Sequence, residues 1–166
     1  MDIHFQVPDI GKFNQAADKA PNVLLKNMRL AMNISCRDVQ SEARAVHMFR
    51  SRTGNLERAV DFNVNDKGDN GVEGKVLIDE NVAPYGKFVH PGTGIYAGRS
   101  AWQVRPRQKK SLRWVGSDGR FRFSKGNTIR GQRPDPFLYK SAEKNRQHVN
   151  DVFSSYTNRA IKEAGL

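Results

Sequence analysis

The feature that most restricts how this chain can fold is a strongly basic segment at residues 99–133. It contains eleven Lys and Arg residues and a single acidic residue, Asp118, whereas the rest of the chain is close to neutral. Charged side chains are rarely buried without a partner, so the cations of this segment are expected at the surface. Its aromatic residues are Trp102, Trp114, Phe121 and Phe123. A solvated loop is the usual explanation of a charge run, but the aromatic residues indicate an arm that contacts a polyanion or an acidic protein surface.

Size and composition favour one domain over residues 1–166, with 99–135 as an extended basic arm. The chain has 166 residues, of which 37% are hydrophobic and 27% charged, and this is enough for a modest core. Cys36 is the only cysteine, so no disulfide can form within the chain and a reducing compartment is expected. Because we find no apolar leader and no run of about 20 apolar residues, we expect a non-secreted protein without membrane contact.

Helical patterns occupy most of the first 50 residues. Alternating apolar residues predict a strand over 3–7, and Asp9 is placed to cap a helix over 10–19. We expect this helix to break at 20–21, because the residue before a proline avoids the α region. Apolar residues at three- and four-residue steps then predict a long amphipathic helix over 22–49.

Apolar and polar residues alternate in the middle of the chain and predict two hairpins. The first pairs strands over 60–65 and 72–79 across a turn rich in Gly, Asp and Asn. The second pairs 111–115 with 120–124, and we expect a loop over 125–135.

A last helix is expected over 136–164, with Asp135 as its N-cap and Pro136 at its first position. The order of elements therefore predicts an α+β fold. We expect a small antiparallel β-sheet packed against long N-terminal and C-terminal helices, with an extended basic hairpin or loop as an arm.

The stretch 85–96 connects the first hairpin to the basic segment. It is aromatic and apolar, and Phe88 and Val89 are expected in the core or the sheet. It then turns sharply, because proline fixes φ and glycine allows positive φ. The turn residues are Pro91, Gly92, Thr93 and Gly94. We interpret this turn as the hinge at which the arm leaves the body.

The sequence offers little catalytic chemistry. Its four histidines are scattered, and none has the spacing of a metal ligand. Asp79, Glu80 and His90 are the best acid–base candidates and, beside the basic arm, they would make a small nuclease centre. The simpler interpretation, which we favour, is that Asp79 and Glu80 end a strand and His90 lies in a turn.

Nucleic-acid binding has more support, because Lys and Arg neutralise phosphates and aromatic rings stack on bases. The alternation of Arg and Phe at 120–123 places the two Phe residues on one face and the two Arg residues on the other. That pattern favours an arm that packs as a hairpin or docks on a partner over one that stacks on bases. The candidate contact residues, to protein or to DNA, are Arg99, Trp102, Arg105, Arg107, Lys109, Lys110, Arg113, Trp114, Arg120, Arg122, Lys125 and Arg130.

Three short segments are placed in a distinctive order. They are residues 52–56 (RTGNL), 85–93 (YGKFVHPGT) and 134–138 (PDPFL). They resemble the R-T-G-x-L, Y-A-x-x-V-E-x-G-T and R-P-F-L-x-P-A elements of the tail-completion or neck proteins of tailed bacteriophages, the family named for gene product ten of its type phage. The resemblance extends over about residues 16–166.

The chain also departs from that pattern. Gly86 stands where Ala is usual, residues 90–91 (HP) replace an acidic and an apolar residue, and Asp135 is inserted before Pro136. The basic connection over 99–130 is longer than the family pattern leads one to expect.

The resemblance implies a non-enzymatic virion component that needs no cofactor. Such proteins form a ring, commonly six-fold, that joins the top of the tail to the head connector, and genomic DNA passes through the lumen. The implied partners are copies of the same chain, the head-closure or adaptor ring, the tail terminator and the DNA in the channel. The implied location is the head–tail junction of the virion, and the host cytoplasm during assembly. A basic nucleic-acid-binding module or small nuclease that uses residues 99–133 is the alternative.

Overall fold

The structure, a computed structural model, describes residues 10–67 and 71–165. The strand predicted over 3–7 and the cap predicted at Asp9 lie outside these ranges. The elements in chain order are α1 (Ile10–Ala45), α2 (Asn55–Ala59), β1 (Val60–Asp66), β2 (Val72–Ile78), α3 (Gly86–Val89), a 3-10 helix (Gly94–Ala97), β3 (Trp102–Val104), β4 (Leu112–Val115), β5 (Phe121–Ser124), β6 (Asn127–Ile129) and α4 (Phe137–Ala164). The fold is α+β, as predicted, with two long helices at the ends of the described chain.

Helices α1 and α4 pack against each other in opposite directions. Asn27 donates to Glu163 over 3.0 Å near one end of the pair, and Lys144 donates to Glu42 over 2.5 Å near the other. Several residues buried on these helices are small, which lets two helices approach closely. They are Ala16, Ala31, Ala43, Ala160 and Ala164.

Helix α1 continues through Pro21, so the break predicted at 20–21 is wrong. A proline inside a helix loses one backbone hydrogen bond and costs about 3 kcal/mol. Here the proline ring is exposed, while Ala16 before it and Asn27 after it are both buried. Packing on both sides of Pro21 therefore outweighs the local preference for a break.

The end of α1 and the start of α4 are joined by one buried carboxylate. Asp135 is 2% exposed and accepts hydrogen bonds from the backbone amides of Met48 (2.5 Å) and Phe49 (3.0 Å). These bonds hold the chain after Ala45 outside the helix, which explains why α1 ends before its predicted limit at 49. The predicted role of Asp135 as N-cap is also wrong, because Pro136 is the N-cap of α4 and makes no side-chain capping hydrogen bond.

We call helices α1–α4 and the hairpin of β1 and β2 the body of the molecule. Strands β1 and β2 pair in an antiparallel ladder, in which Val60 lies opposite Ile78 and Asp66 opposite Val72. Strands β1 and β2 begin at the predicted residues, and each ends within one residue of its predicted end.

This hairpin lies directly on α1. Gln40 and Arg44 both donate to the carbonyl oxygen of Val60, over 2.9 Å and 2.7 Å. A Cβ atom added to Gly74 would lie 2.5 Å from the Met32 sulfur and 2.6 Å from the Cys36 sulfur, so glycine at this position lets the strand lie close to the helix.

The apolar core is small and is built around Phe137, which is fully buried. Its buried members are Ala43, Leu56, Ala59, Val60, Ala83, Val89 and Phe137. Each of the segments 52–56, 85–93 and 134–138 contributes to it, through Leu56, Val89 and Phe137 respectively. The expectation for Phe88 is wrong, because 86–89 forms one turn of helix that buries Val89 and leaves Phe88 exposed.

Candidate functional site

The basic segment forms an elongated two-stranded ribbon, which we call the arm. Strands β4 and β5 pair around the turn at 116–119, as predicted. The loop predicted over 125–135 is partly wrong, because β6 pairs with β3 and places Trp102 opposite Ile129. Strands of three residues are too short to give a periodic signal, so sequence alone does not identify this second ladder.

The two ladders of the arm are separated by an asymmetric interruption. Residues 105–111 on one side lie opposite 125–126 on the other. The longer side forms a basic loop whose cations are Arg105, Arg107, Lys109 and Lys110.

At the root of the arm, by which we mean residues 93–95 and 130–132, hydrogen bonds join the two segments. The Thr93 amide donates to the Gln132 carbonyl over 2.9 Å, and the Ile95 amide donates to the Arg130 carbonyl over 2.8 Å. The Gln132 amide in turn donates to the Thr93 hydroxyl over 2.8 Å. The turn at 91–94 therefore lies in a hydrogen-bonded junction between the two strands of the arm.

Two glycines make this junction possible. Gly94 has a φ of 60°, and a Cβ atom there would lie 2.2 Å from the Arg130 carbonyl oxygen. Gly131 has a φ of 104°, and its Cβ atom would lie 2.1 Å from the Thr93 carbonyl oxygen. Both positions require glycine because of the backbone conformation and because of the close approach.

The first face of the ribbon tip is apolar, and we call it the Phe face. Cross-strand partners share a face, so Val115 lies beside Phe121, and Arg113 beside Phe123. The guanidinium of Arg113 lies 4.5 Å from the centre of the Phe121 ring. Both Phe residues are on one face, as predicted, but a cation lies with them.

The second face of the tip carries Trp114 opposite Arg122. Arg122 is held by Asp118, 3.0 Å away in the turn. Arg120 precedes β5, so the predicted alternation of the two Arg residues describes Arg122 alone.

The aromatic residues of the arm are half exposed, with 56% of Phe121, 63% of Phe123 and 44% of Trp114 accessible. The ribbon therefore does not bury its own aromatic groups, and they are available to a partner.

The arm's charge is also uncompensated. Among the cations of 99–133, Arg122 alone forms an ion pair with a carboxylate of the described ranges. No hydrogen bond or ion pair within these ranges joins residues 100–129 to the helices or to the body hairpin. The candidate contact residues are therefore brought together on one projecting element.

Two of the three acid–base candidates, Asp79 and Glu80, are engaged in local structure. Asp79 accepts from the backbone and side-chain nitrogens of Asn81 over 2.8 Å and 3.0 Å, and Glu80 binds Lys87 over 2.9 Å. In the part of the chain that the structure describes, no three His, Cys, Asp or Glu side chains are grouped to hold a metal ion. These contacts favour turn residues over a nuclease centre.

Sequence reasoning missed an apolar groove on the body, with a volume of about 590 Å³. It lies between α1, β2, α3 and α4. Its lining includes Met32, Cys36, Val39, Ile78, Leu138 and Val149. The helical periodicity located these residues on the apolar stripes but did not distinguish the core from an open groove beside it. Burial raises the pKa of the Cys36 thiol.

His90 lies in the lining of the apolar groove, and its ring packs edge-on to Tyr139 with 4.7 Å between centres. Its Nε2 atom is buried without a hydrogen-bond partner among the described residues. Burial lowers the pKa of His90, and the Asp135 carboxylate opposes this shift.

Because of this lowered pKa, we expect acid to destabilise the fold through His90. The unfolded chain takes up the proton near the ordinary pKa of about 6.5, whereas the folded chain resists it. The contribution is complete above that pH and is lost as the pH falls through the folded pKa. Urea unfolding at pH 7.5 and 5.5 measures it: His90→Gln should lose less stability than the wild type. Equal losses for His90→Gln and the wild type would contradict the assignment.

Comparisons with protein-family models, with curated protein sequences and with solved structures return no match for this chain. Within the described ranges, none of the helices combines the length and the apolar character needed to cross a bilayer.

Proposed function

We propose that this chain is a structural subunit of the head–tail junction of a tailed bacteriophage, and that it has no enzymatic role. The observation that carries the proposal is the arm, a cationic and aromatic ribbon whose residues 100–129 make no hydrogen bond or ion pair with the helices or the body hairpin in the described ranges. An element of this kind leaves its aromatic surface exposed until a partner covers it.

The arrangement of the core supports the same proposal. The segments 52–56, 85–93 and 134–138, on which the resemblance rests, come from distant parts of the chain and meet around Phe137. They therefore act as one structural unit that supports the root of the arm.

The expected assembly is a ring of identical copies, six-fold by the resemblance, at the junction in the virion and formed in the host cytoplasm. A subunit with an arm on one side and a body on the other makes heterologous contacts, which close by rotation into a ring. The adaptor ring and the tail terminator would cover its two ends. The cations that no subunit covers would face the DNA in the channel.

Deletion of the gene from the phage genome that carries it tests this function. We expect lysates with filled heads and separate tails that do not join, and we expect a plasmid copy to restore infectious particles. Normal joined particles in the absence of the protein would contradict the proposal.

Mass measurement of the purified protein is an independent test. We expect rings, alone at high concentration or after addition of the neighbouring neck proteins. A protein that stays monomeric under all these conditions would rule out the ring.

Binding of nucleic acid is a second candidate function, favoured by the uncompensated cations of the arm. If the arm binds duplex DNA, removing four charges from it should weaken binding about tenfold or more near 0.1 M salt and reduce the salt slope by about three to four. The test variant is Arg105→Ala, Arg107→Ala, Lys109→Ala and Lys110→Ala combined. The matched control is Lys19→Ala, Lys26→Ala, Arg37→Ala and Lys162→Ala, which removes four exposed cations from the helices. Equal salt slopes for the two variants would exclude the arm as the DNA contact.

A further inference from the structure

The apolar groove is a surface that the chain itself leaves open. Met32, Val39 and Val149 line it, and they come from the two long helices whose other residues close the core. A volume of about 590 Å³ lies in the range of roughly 300–1,000 Å³ that accepts a group of several rings. Exposed apolar surface of this kind is stabilised when it is covered.

Two polar atoms of the same lining have no partner. The Ser35 hydroxyl, on a residue that is 4% exposed, and His90 Nε2 are both buried and have no hydrogen-bond partner in the described ranges. Each of these atoms has less than 1 Å² of accessible surface, so an occupant reaches them only after the lining side chains move. The open part of the lining is apolar, and an occupant with apolar groups fits it.

The tip of the arm has the complementary chemistry. Phe121, Phe123 and Val115 stand together on the Phe face and are each more than half exposed. Beside them, Arg113 adds a cation. The groove's one acidic lining residue is Glu80, whose side chain is 59% exposed and pairs over 2.9 Å with Lys87 of the same lining.

We propose that the Phe face of one copy's arm docks into the apolar groove of the next copy. This inference rests on the proposed function, because it requires copies of the chain to assemble. The two Phe rings enter the groove, and Arg113 reaches Glu80 at its edge, where it joins or displaces Lys87. Every subunit gives one arm and receives one, so the contact repeats around a closed ring.

The size of this contact sets its strength. Two aromatic residues cover roughly 300–500 Å² on the arm's side. A stable pairwise interface needs about 800 Å² from each partner. A single arm therefore binds weakly, and closure of the ring, in which every copy makes two such contacts, gives the stability.

Photo-crosslinking tests the contact directly. Phe123 is replaced by 4-benzoylphenylalanine in the full chain, the protein is concentrated until it assembles, and the crosslinked peptides are identified by mass spectrometry. We expect the main product to join the arm to the α1 peptide that contains Met32, a residue type with which benzophenone reacts readily. A mixture of ¹⁵N-labelled and unlabelled copies should give products with one heavy and one light peptide. The same replacement at Trp114, on the opposite face, is the matched control and should not crosslink to the groove.

A groove variant tests the receiving side. Ala142 is an exposed residue of the groove lining, so Ala142→Trp fills the groove without disturbing the core. We expect the crosslink to fall about tenfold, which corresponds to 1.4 kcal/mol of docking free energy. Ala17→Trp, an exposed change elsewhere on α1, should leave the crosslink unchanged.

Failure of this inference can be distinguished from failure of the proposed function. Rings whose crosslinks map outside the groove, or whose arm crosslinks only to its own subunit, would overturn the docking while leaving the assembly in place. A protein that never assembles would overturn both.

Discussion

Replacing Gly94 by Ala is expected to detach one side of the arm's root and to abolish assembly while the body stays folded. An added Cβ atom would lie 2.2 Å from the Arg130 carbonyl oxygen, which is backbone and cannot move aside without separating the strands. The Ile95–Arg130 hydrogen bond of 2.8 Å is the first to be lost. The positive φ at this position also destabilises any residue other than glycine by about 1–3 kcal/mol.

Gly98 provides a matched control for this change. Its φ is 70°, close to the 60° of Gly94, but a Cβ atom there has no neighbour within 4 Å. Gly98→Ala thus carries the conformational penalty without the clash. Hydrogen exchange of the peptides over 93–97 and 129–133 should be about tenfold faster in Gly94→Ala than in Gly98→Ala. Equal protection and equal ring formation in the two variants would show that the close approach at the root is unimportant.

Gly92→Val, with Gln132 and Pro134 atoms 2.8 Å from the added Cβ, should also misdirect the arm.

Removing the carboxylate of Asp135 should cause the largest loss of stability. Two backbone amides, of Met48 and Phe49, depend on this 2% exposed side chain. Hydrogen bonds to a charged group contribute about 1.5–3 kcal/mol each, so Asp135→Ala should cost about 3–5 kcal/mol. For a chain of this length that lowers Tm by about 6–20 °C.

Two variants separate the buried role of Asp135 from its ion pair. Lys140 lies 3.4 Å from the carboxylate, and its own side chain is 52% exposed. Lys140→Ala should therefore cost less than about 1 kcal/mol. Asp118→Ala, in the exposed turn of the arm, should leave Tm unchanged. Thermal unfolding followed by circular dichroism measures all three, and a Tm for Asp135→Ala within about 2 °C of wild type would refute the role assigned to this residue.

The parts of the fold that were predictable are those in which a periodic pattern reflects one buried face. The first strand of the body hairpin alternates over 60–65 because the hairpin lies on α1, and its second strand carries a densely apolar run at 76–78. The tip of the arm alternates because Val115 and Phe121 share a face. The α4 helix follows for the same reason.

The parts that were not predictable depend on contacts between distant residues. The continuity of α1 at Pro21 depends on packing along α4, and the end of α1 depends on Asp135, which lies far away in the sequence. The pairing of β3 with β6 extends over only three residues on each side, so no local pattern precedes it. The apolar groove could not be predicted for another reason: an apolar stripe that lines an open groove has the same spacing in the sequence as one that is buried in a core.

The interruption between the two ladders of the arm has a mechanical consequence. Because residues 105–111 and 125–126 form no ladder, the ribbon can bend there while the paired residues on either side keep their hydrogen bonds. The hydrogen-bonded root therefore sets the direction of the arm, and we expect bending at the unpaired residues to change the angle of the tip. In the proposed ring, copies held at identical roots would in this way reach surfaces that are not identically placed around them.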